Sequence, residues 1–169
     1  MNHNDGLIDL YRRVYRHPRL VAALKIIGAA AVGFVVLTFL YALTLLAVFE
    51  DYLGALKLLI FSGVPFSAVS LLRKHVDLGR PYEVFDIPEF DEMKQKRKMG
   101  ESFPSRHVFS AFLLGTLWCI YNVPLGIAVM IFGTFIAVER VLLGIHFVRD
   151  VIAGGAIGVL SGLIGVWIW

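Results

Sequence analysis

Residues 20–49, LVAALKIIGAAAVGFVVLTFLYALTLLAVF, decide the fold class. The run contains one charge, Lys25 near its start, and no turn signal. About 20 consecutive apolar residues are enough to cross a bilayer. A run of 30 therefore reads as one long or tilted transmembrane helix. The composition agrees, since 58% of the 169 residues are hydrophobic, against about 45–50% in an ordinary soluble domain.

Outward from this run, residues 1–19 are polar and basic, with Arg12, Arg13, Arg16 and Arg19 set against Asp5 and Asp9. Leu7, Ile8, Leu10, Tyr11, Val14 and Tyr15 recur near helical spacing, which predicts a short amphipathic helix on the membrane surface. No small-residue cleavage site follows the apolar run, so a removable signal peptide is not expected. On the other side, Glu50-Asp51 is a polar break and residues 52–72 form a second span. Gly63, Pro65 and Ser67 in it suggest a kink or close helix packing, and Lys57 can snorkel to the interface.

Residues 73–105 are the one long polar segment. It carries Arg73, Lys74, Arg80-Pro81, an acidic stretch from Glu83 to Glu92, and the basic cluster Lys94, Lys96, Arg97 and Lys98. The cluster reads as a lipid-headgroup surface, and Phe85, Phe90 and Phe103 as the lining of an entrance. Residues 107–122 make a third, short span, 124–143 a fourth and 148–169 a fifth. The fifth carries Gly154, Gly155, Gly158, Gly162 and Gly165, which permit close approach of a neighbouring helix. The expected architecture is all-α: a polytopic membrane helix bundle of about five transmembrane helices plus an N-terminal amphipathic interfacial helix, forming a single domain over residues 1–169. Cys119 is the sole cysteine and allows no internal disulfide. No Cys/His cluster has zinc spacing, and neither a metal, a cofactor nor a nucleic-acid partner is expected.

Five spans bring three polar clusters to one face: the end of span two, the start of span three, and the turn between spans four and five. That face gathers Arg73, Arg80, Ser105, Arg106, His107, Arg140, His146 and Asp150. Ionisable groups in such a setting are costly and mark function. The arginines are fixed cationic forks suited to phosphate oxygens. Ser105, with the N–H groups opening a helix, adds donors. Two histidines cover nucleophile and general-acid roles. Asp150, four residues after His146, can hold one ring nitrogen and raise the basicity of the other. Together they suit phosphoryl transfer, in which positioning and charge stabilisation dominate.

These segments resemble the three signature motifs of the type 2 phosphatidic acid phosphatase superfamily: Lys-(six residues)-Arg-Pro, Pro-Ser-Gly-His and Ser-Arg-(five residues)-His-(three residues)-Asp. The resemblance runs from Arg73 to Asp150 and extends to the helical framework. It implies that His146 attacks phosphorus and forms a phosphohistidine, that Asp150 orients it, and that His107 protonates the leaving group. It further implies that Arg80, Arg140 and Ser105 bind phosphate oxygens, with no metal required. The chain departs from the pattern at three positions. Arg73 stands for the usual lysine, Arg106 for the glycine, where it can add a phosphate contact or demand a changed turn, and Glu139 for the serine before Arg140, where it can pair with Arg140 or Arg73.

The implied substrate is a lipid phosphate, of phosphatidate, phosphatidylglycerol phosphate or polyprenyl phosphate or diphosphate type. The three departures also motivate an alternative, a non-catalytic membrane protein binding phosphorylated lipid or a partner through the same pocket. A vanadate-dependent haloperoxidase has a similar anion site, but those enzymes are soluble. The expected location is the plasma membrane. Of the 16 Lys and Arg, 15 lie on the motif face or lead into it, which by the positive-inside rule places that face in the cytoplasm. Analogy with relatives of similar motif points to the outer face instead.

Overall fold

The structure is a computed structural model and describes residues 3–168. Trp169, the expected end of the last span, and the first two residues lie outside the described part. Among the described residues all regular structure is helical. α1 (His3–Tyr15) precedes α2 (Pro18–Val48), which begins with proline at a first-turn position, where no backbone N–H is needed. Glu50 turns the chain with φ +57°, and the Asp51 carboxylate caps α3 (Tyr52–Val76) by accepting from the Gly54 N–H at 2.9 Å. α3 runs on through Pro65.

The polar segment folds into α4 (Pro81–Val84), a 3₁₀ turn (Pro88–Phe90) and α5 (Asp91–Lys96). α6 (Arg106–Trp118) follows, then α7 (Val123–Leu142), capped by the Asn122 side chain, and α8 (Val148–Ile168). Among the described residues four helices, α2, α3, α7 and α8, are long and apolar enough to cross a membrane. α6 has 13 residues, about 20 Å at 1.5 Å per residue, and is shorter than the expected third span. It is the centre of the bundle, packed on α8 and α7 and touched by α2 and α3. Its buried Val108, Phe109, Ala111, Leu113 and Leu117 form the middle of the main core. The outer faces are apolar and exposed, as at Ile26, Leu37, Val64 and Ile152, a surface that fits lipid rather than water.

α8 reaches α6 through its glycines. A Cβ at Gly154 would lie 2.6 Å from the Ser105 carbonyl oxygen, and one at Gly158 2.5 Å from that of Phe109. The two backbones therefore touch at the second motif and just beyond the end of the third. Gly155 is different: its nearest neighbours, in the Phe112 ring, are at ordinary contact distance.

α1 forms as expected, but its buried face meets protein. Tyr11 is fully buried, with ring centroids 5.9 Å from Phe85 and 5.2 Å from Phe90. Arg12 and Arg13 face outward. Phe85 and Phe90, read above as an entrance lining, are thus the floor on which α1 rests, together with Tyr82 and Ile87. The amphipathic pattern specified an apolar stripe and left open what would cover it.

Candidate active site

The turn after α7 carries His146. α7 ends where Gly144 takes φ +67°, a left-handed conformation that glycine adopts without a Cβ penalty. A Cβ there would also strike the Phe90 ring at 2.4 Å. The Ile145 and His146 N–H groups both donate to the Arg140 carbonyl, at 2.9 and 3.2 Å. Tyr82 N–H donates to Gly144 O at 3.2 Å, and Tyr15 hydroxyl to Leu143 O at 3.2 Å. The turn is held by α7 from one side and by α1 and the polar segment from the other.

His146 is 3% exposed. Burial holds its imidazole below the usual histidine range, while its interaction with Asp150 pulls the other way. Nδ1 lies 3.6 Å from Asp150 Oδ2, just beyond a hydrogen bond. Ser102 Oγ sits between them, donating to Asp150 Oδ2 at 2.6 Å and 3.3 Å from His146 Nδ1. Asp150 Oδ2 also accepts from the Phe147 N–H at 2.9 Å. Ser102 lay outside the expected set. It belongs to no spaced pattern, and only its place shortly before Ser105 in the polar segment hints at it.

The second motif docks on the third by a hydrogen bond from Ser105 N–H to Asp150 O, 2.9 Å. Ser105 Oγ is buried and has no hydrogen-bond partner among the described residues, an orphan hydroxyl at the start of α6. Arg106 and His107, both exposed, line with Ser110 a mostly apolar groove of about 390 Å³ between α2, α3, α6 and α7, walled by Val35, Phe39, Phe66 and Ile136. Arg140, His146, Arg106 and Arg73 are close enough for their charges to act on His107.

The arginines divide. Arg140 is half-buried, with Nε 3.2 Å from Glu139 Oε2. Of the two partners that the sequence allowed Glu139, the structure pairs it with Arg140. Glu139 is itself buried against Gly28 of α2, where a Cβ would lie 2.7 Å from its Cδ. Arg80 donates Nε to the Gly100 carbonyl at 3.0 Å. Arg73 is 2% exposed and sits behind the site, its NH1 donating to the carbonyls of Ser102, at 3.4 Å, and Pro104. Its hydrogen bonds thus hold the second motif in place. The basic cluster is partly neutralised, with Lys94 paired to Asp86, Lys96 to Glu92 and Lys98 to Glu101. Among the described residues no group of three or more His, Cys, Asp or Glu is placed to hold a metal ion.

The chain is similar to several known proteins. A relative named bacitracin transport permease protein BcrC, from Bacillus licheniformis, is 27% identical over 112 residues, 65% of this chain and 55% of that protein. Lipid A 1-diphosphate synthase of Escherichia coli (strain K12) is 28% identical over 105 residues, 59% of this chain and 40% of that one. The matches thus span about half the length of these relatives. Among solved structures, Aquifex aeolicus LpxE superposes with a TM-score of 0.68 at 22% identity, covering 95% of this chain and 94% of that one. A PAP2 type phosphatidylglycerolphosphate phosphatase from Bacillus subtilis gives 0.69 at 19%, covering 98% and 85%. Both share the fold of this chain, that of an integral membrane helix bundle. The model of the PAP2 superfamily matches residues 36–169, which include all three polar clusters, and the chain belongs to that superfamily.

Proposed function

We propose that the chain is a membrane-embedded lipid phosphate phosphatase that works through a phosphohistidine on His146 without a metal ion. The observation that carries this reading is a connected set of residues: His146 stands beside Asp150, Asp150 is joined to Ser105 by a backbone hydrogen bond, and His146 and Arg140 lie close to His107, which with Arg106 forms the polar mouth of an apolar groove. A lipid tail fits the groove and its phosphate the polar mouth. The names of the relatives favour lipid phosphates and diphosphates. Phosphatidate, phosphatidylglycerol phosphate and polyprenyl phosphates or diphosphates are the substrate classes to compare.

The chemistry follows from the ring geometry. Nδ1 of His146 faces Asp150 and Ser102, so Nε2 is the nitrogen left for phosphorus. Its lone pair forms the N–P bond as the bond from phosphorus to the leaving oxygen breaks. The electron pair stays on that oxygen, and His107 supplies the proton. Water then attacks phosphorus and gives a proton back to His107. The N–P bond breaks, its electrons return to Nε2, and inorganic phosphate leaves. Arg80, Arg140, Ser105 and the opening N–H groups of α6 stabilise the charge on the transferring group, the part that metal ions play in other phosphoryl transfers. Arg106 adds a cation at the mouth. Arg73 contributes by bracing residues 102–104 and by its fixed positive charge.

The test is phosphate release from a panel of lipid phosphates in detergent with EDTA, wild type beside His146→Ala. Release that survives the chelator and disappears in the variant supports the reading. Release equal in both removes His146 as nucleophile. Stabilisation by lipid phosphate without turnover would favour the binding protein instead.

A further inference from the structure

We infer that Ser102 is a positioning residue, a hydroxyl relay that joins His146 to Asp150 and sets which ring nitrogen of His146 is bare. The argument is a count of protons. An ionised carboxylate only accepts hydrogen bonds. The 2.6 Å contact between Ser102 Oγ and Asp150 Oδ2 therefore uses the one hydroxyl proton of Ser102. Toward His146 Nδ1, at 3.3 Å, Ser102 Oγ has only a lone pair to offer. Nδ1 must then carry the ring proton, and Nε2 keeps its lone pair for phosphorus. The direct contact from Nδ1 to Oδ2 is 3.6 Å, too long to fix the tautomer unaided.

The serine is placed for this role from both backbone ends. Its N–H donates to Leu78 O at 2.8 Å, and its carbonyl accepts from Arg73 NH1 at 3.4 Å. Ser102 is fully buried, so water does not compete for the hydroxyl. This assigns the buried Arg73 a purpose: it fixes the segment that carries the relay. The charged and titratable groups acting around the pair are Arg73 from α3, Arg80 from the polar segment, His107 from α6 and Tyr11 from α1.

The catalytic consequence rests on the phosphatase reading, but the tautomer does not. The test is a long-range ¹H–¹⁵N spectrum of the full chain with ¹⁵N-histidine in detergent, His146 being assigned by its loss in His146→Ala. Wild type is expected to show the Nδ1–H form. Ser102→Ala should shift His146 toward the Nε2–H form and lower kcat about 10- to 100-fold with KM little changed. Ser102→Cys keeps the volume with a weaker donor, so it should fall between the two while melting like wild type. An Nε2–H form in wild type overturns the relay. So does a Ser102→Ala protein in which tautomer and kcat are unchanged, or in which kcat falls only in step with thermal stability. If no lipid phosphate is turned over by wild type, the proposed function fails and the spectrum still decides the relay.

Discussion

Replacing Gly154 by alanine would put a Cβ 2.6 Å from the Ser105 carbonyl oxygen, at the point where α8 carries Asp150 past the start of α6. Ordinary contact begins near 3.4 Å, so the two backbones would have to separate by about 0.8 Å. Overpacking of this kind costs about 1–3 kcal/mol, offset in part by the roughly 1 kcal/mol that alanine gains over glycine within a helix. Stability should therefore fall only modestly. Catalysis should suffer more, because the same contact sets Ser105 and His107 against Asp150 and His146, through the 2.9 Å hydrogen bond from Ser105 N–H to Asp150 O. A displacement on the order of 1 Å can reduce rate by about 10²-fold. The neighbouring Gly155→Ala is the control, since its Cβ would meet the Phe112 ring no closer than 3.7 Å. The assay is phosphate release from the preferred lipid phosphate, with melting temperature measured in the same detergent. Gly154→Ala should lose about 10- to 100-fold in kcat and melt a few degrees lower, and Gly155→Ala should match wild type. If both alanines behave alike, backbone contact between α6 and α8 does not set the site.

Arg73→Met should lower stability by about 2 kcal/mol, the scale for a buried charged hydrogen-bond donor, because the Ser102 and Pro104 carbonyls lose its NH1; thermal melts beside Lys74→Met, at an exposed neighbour, would check this. Gly28→Ala should push Glu139 off Arg140 and reduce activity, and the effect of the alanine should vanish in a Glu139→Ser background, where the clashing carboxylate is gone. A cycle in which the two changes simply add would separate Gly28 from Arg140. The charge argument predicts a cytoplasmic motif face, so a cysteine at exposed Gln95, in a Cys119→Ala background, should resist an impermeant maleimide on intact cells and react after lysis. Labelling before lysis would put the site on the outer face.

The sequence announced the proposed catalytic residues more clearly than their support. Arg140, His146 and Asp150 stood out because charge is rare in an apolar chain and their spacing puts them on one turn. Their meeting with Ser105 and His107 followed from the alternation of spans, and the hydrogen bond from Ser105 to Asp150 realises it. Ser102 was hidden because a lone serine in a polar segment has no periodicity to mark it. The Glu139–Gly28 contact was hidden because it joins α7 to α2 across more than half the chain, and nothing local in either helix names the other. Arg73 was legible as a cation but not as a brace, since charge says nothing of which partner a guanidinium meets. Tyr11 failed in a similar way: helical spacing gave its buried face, and only the fold supplied Phe85 and Phe90 to cover it in place of lipid.

The decisive experiment is a rapid acid-free quench of the protein with a ³²P-labelled lipid phosphate, followed by denaturing separation. If His146 carries the phosphoryl group, label will migrate with the protein, survive alkali, be released by acid, and be missing from His146→Ala. Label that persists in His146→Ala, or wild-type turnover with no protein-bound phosphate at any quench time, would mean that phosphorus never passes through this histidine.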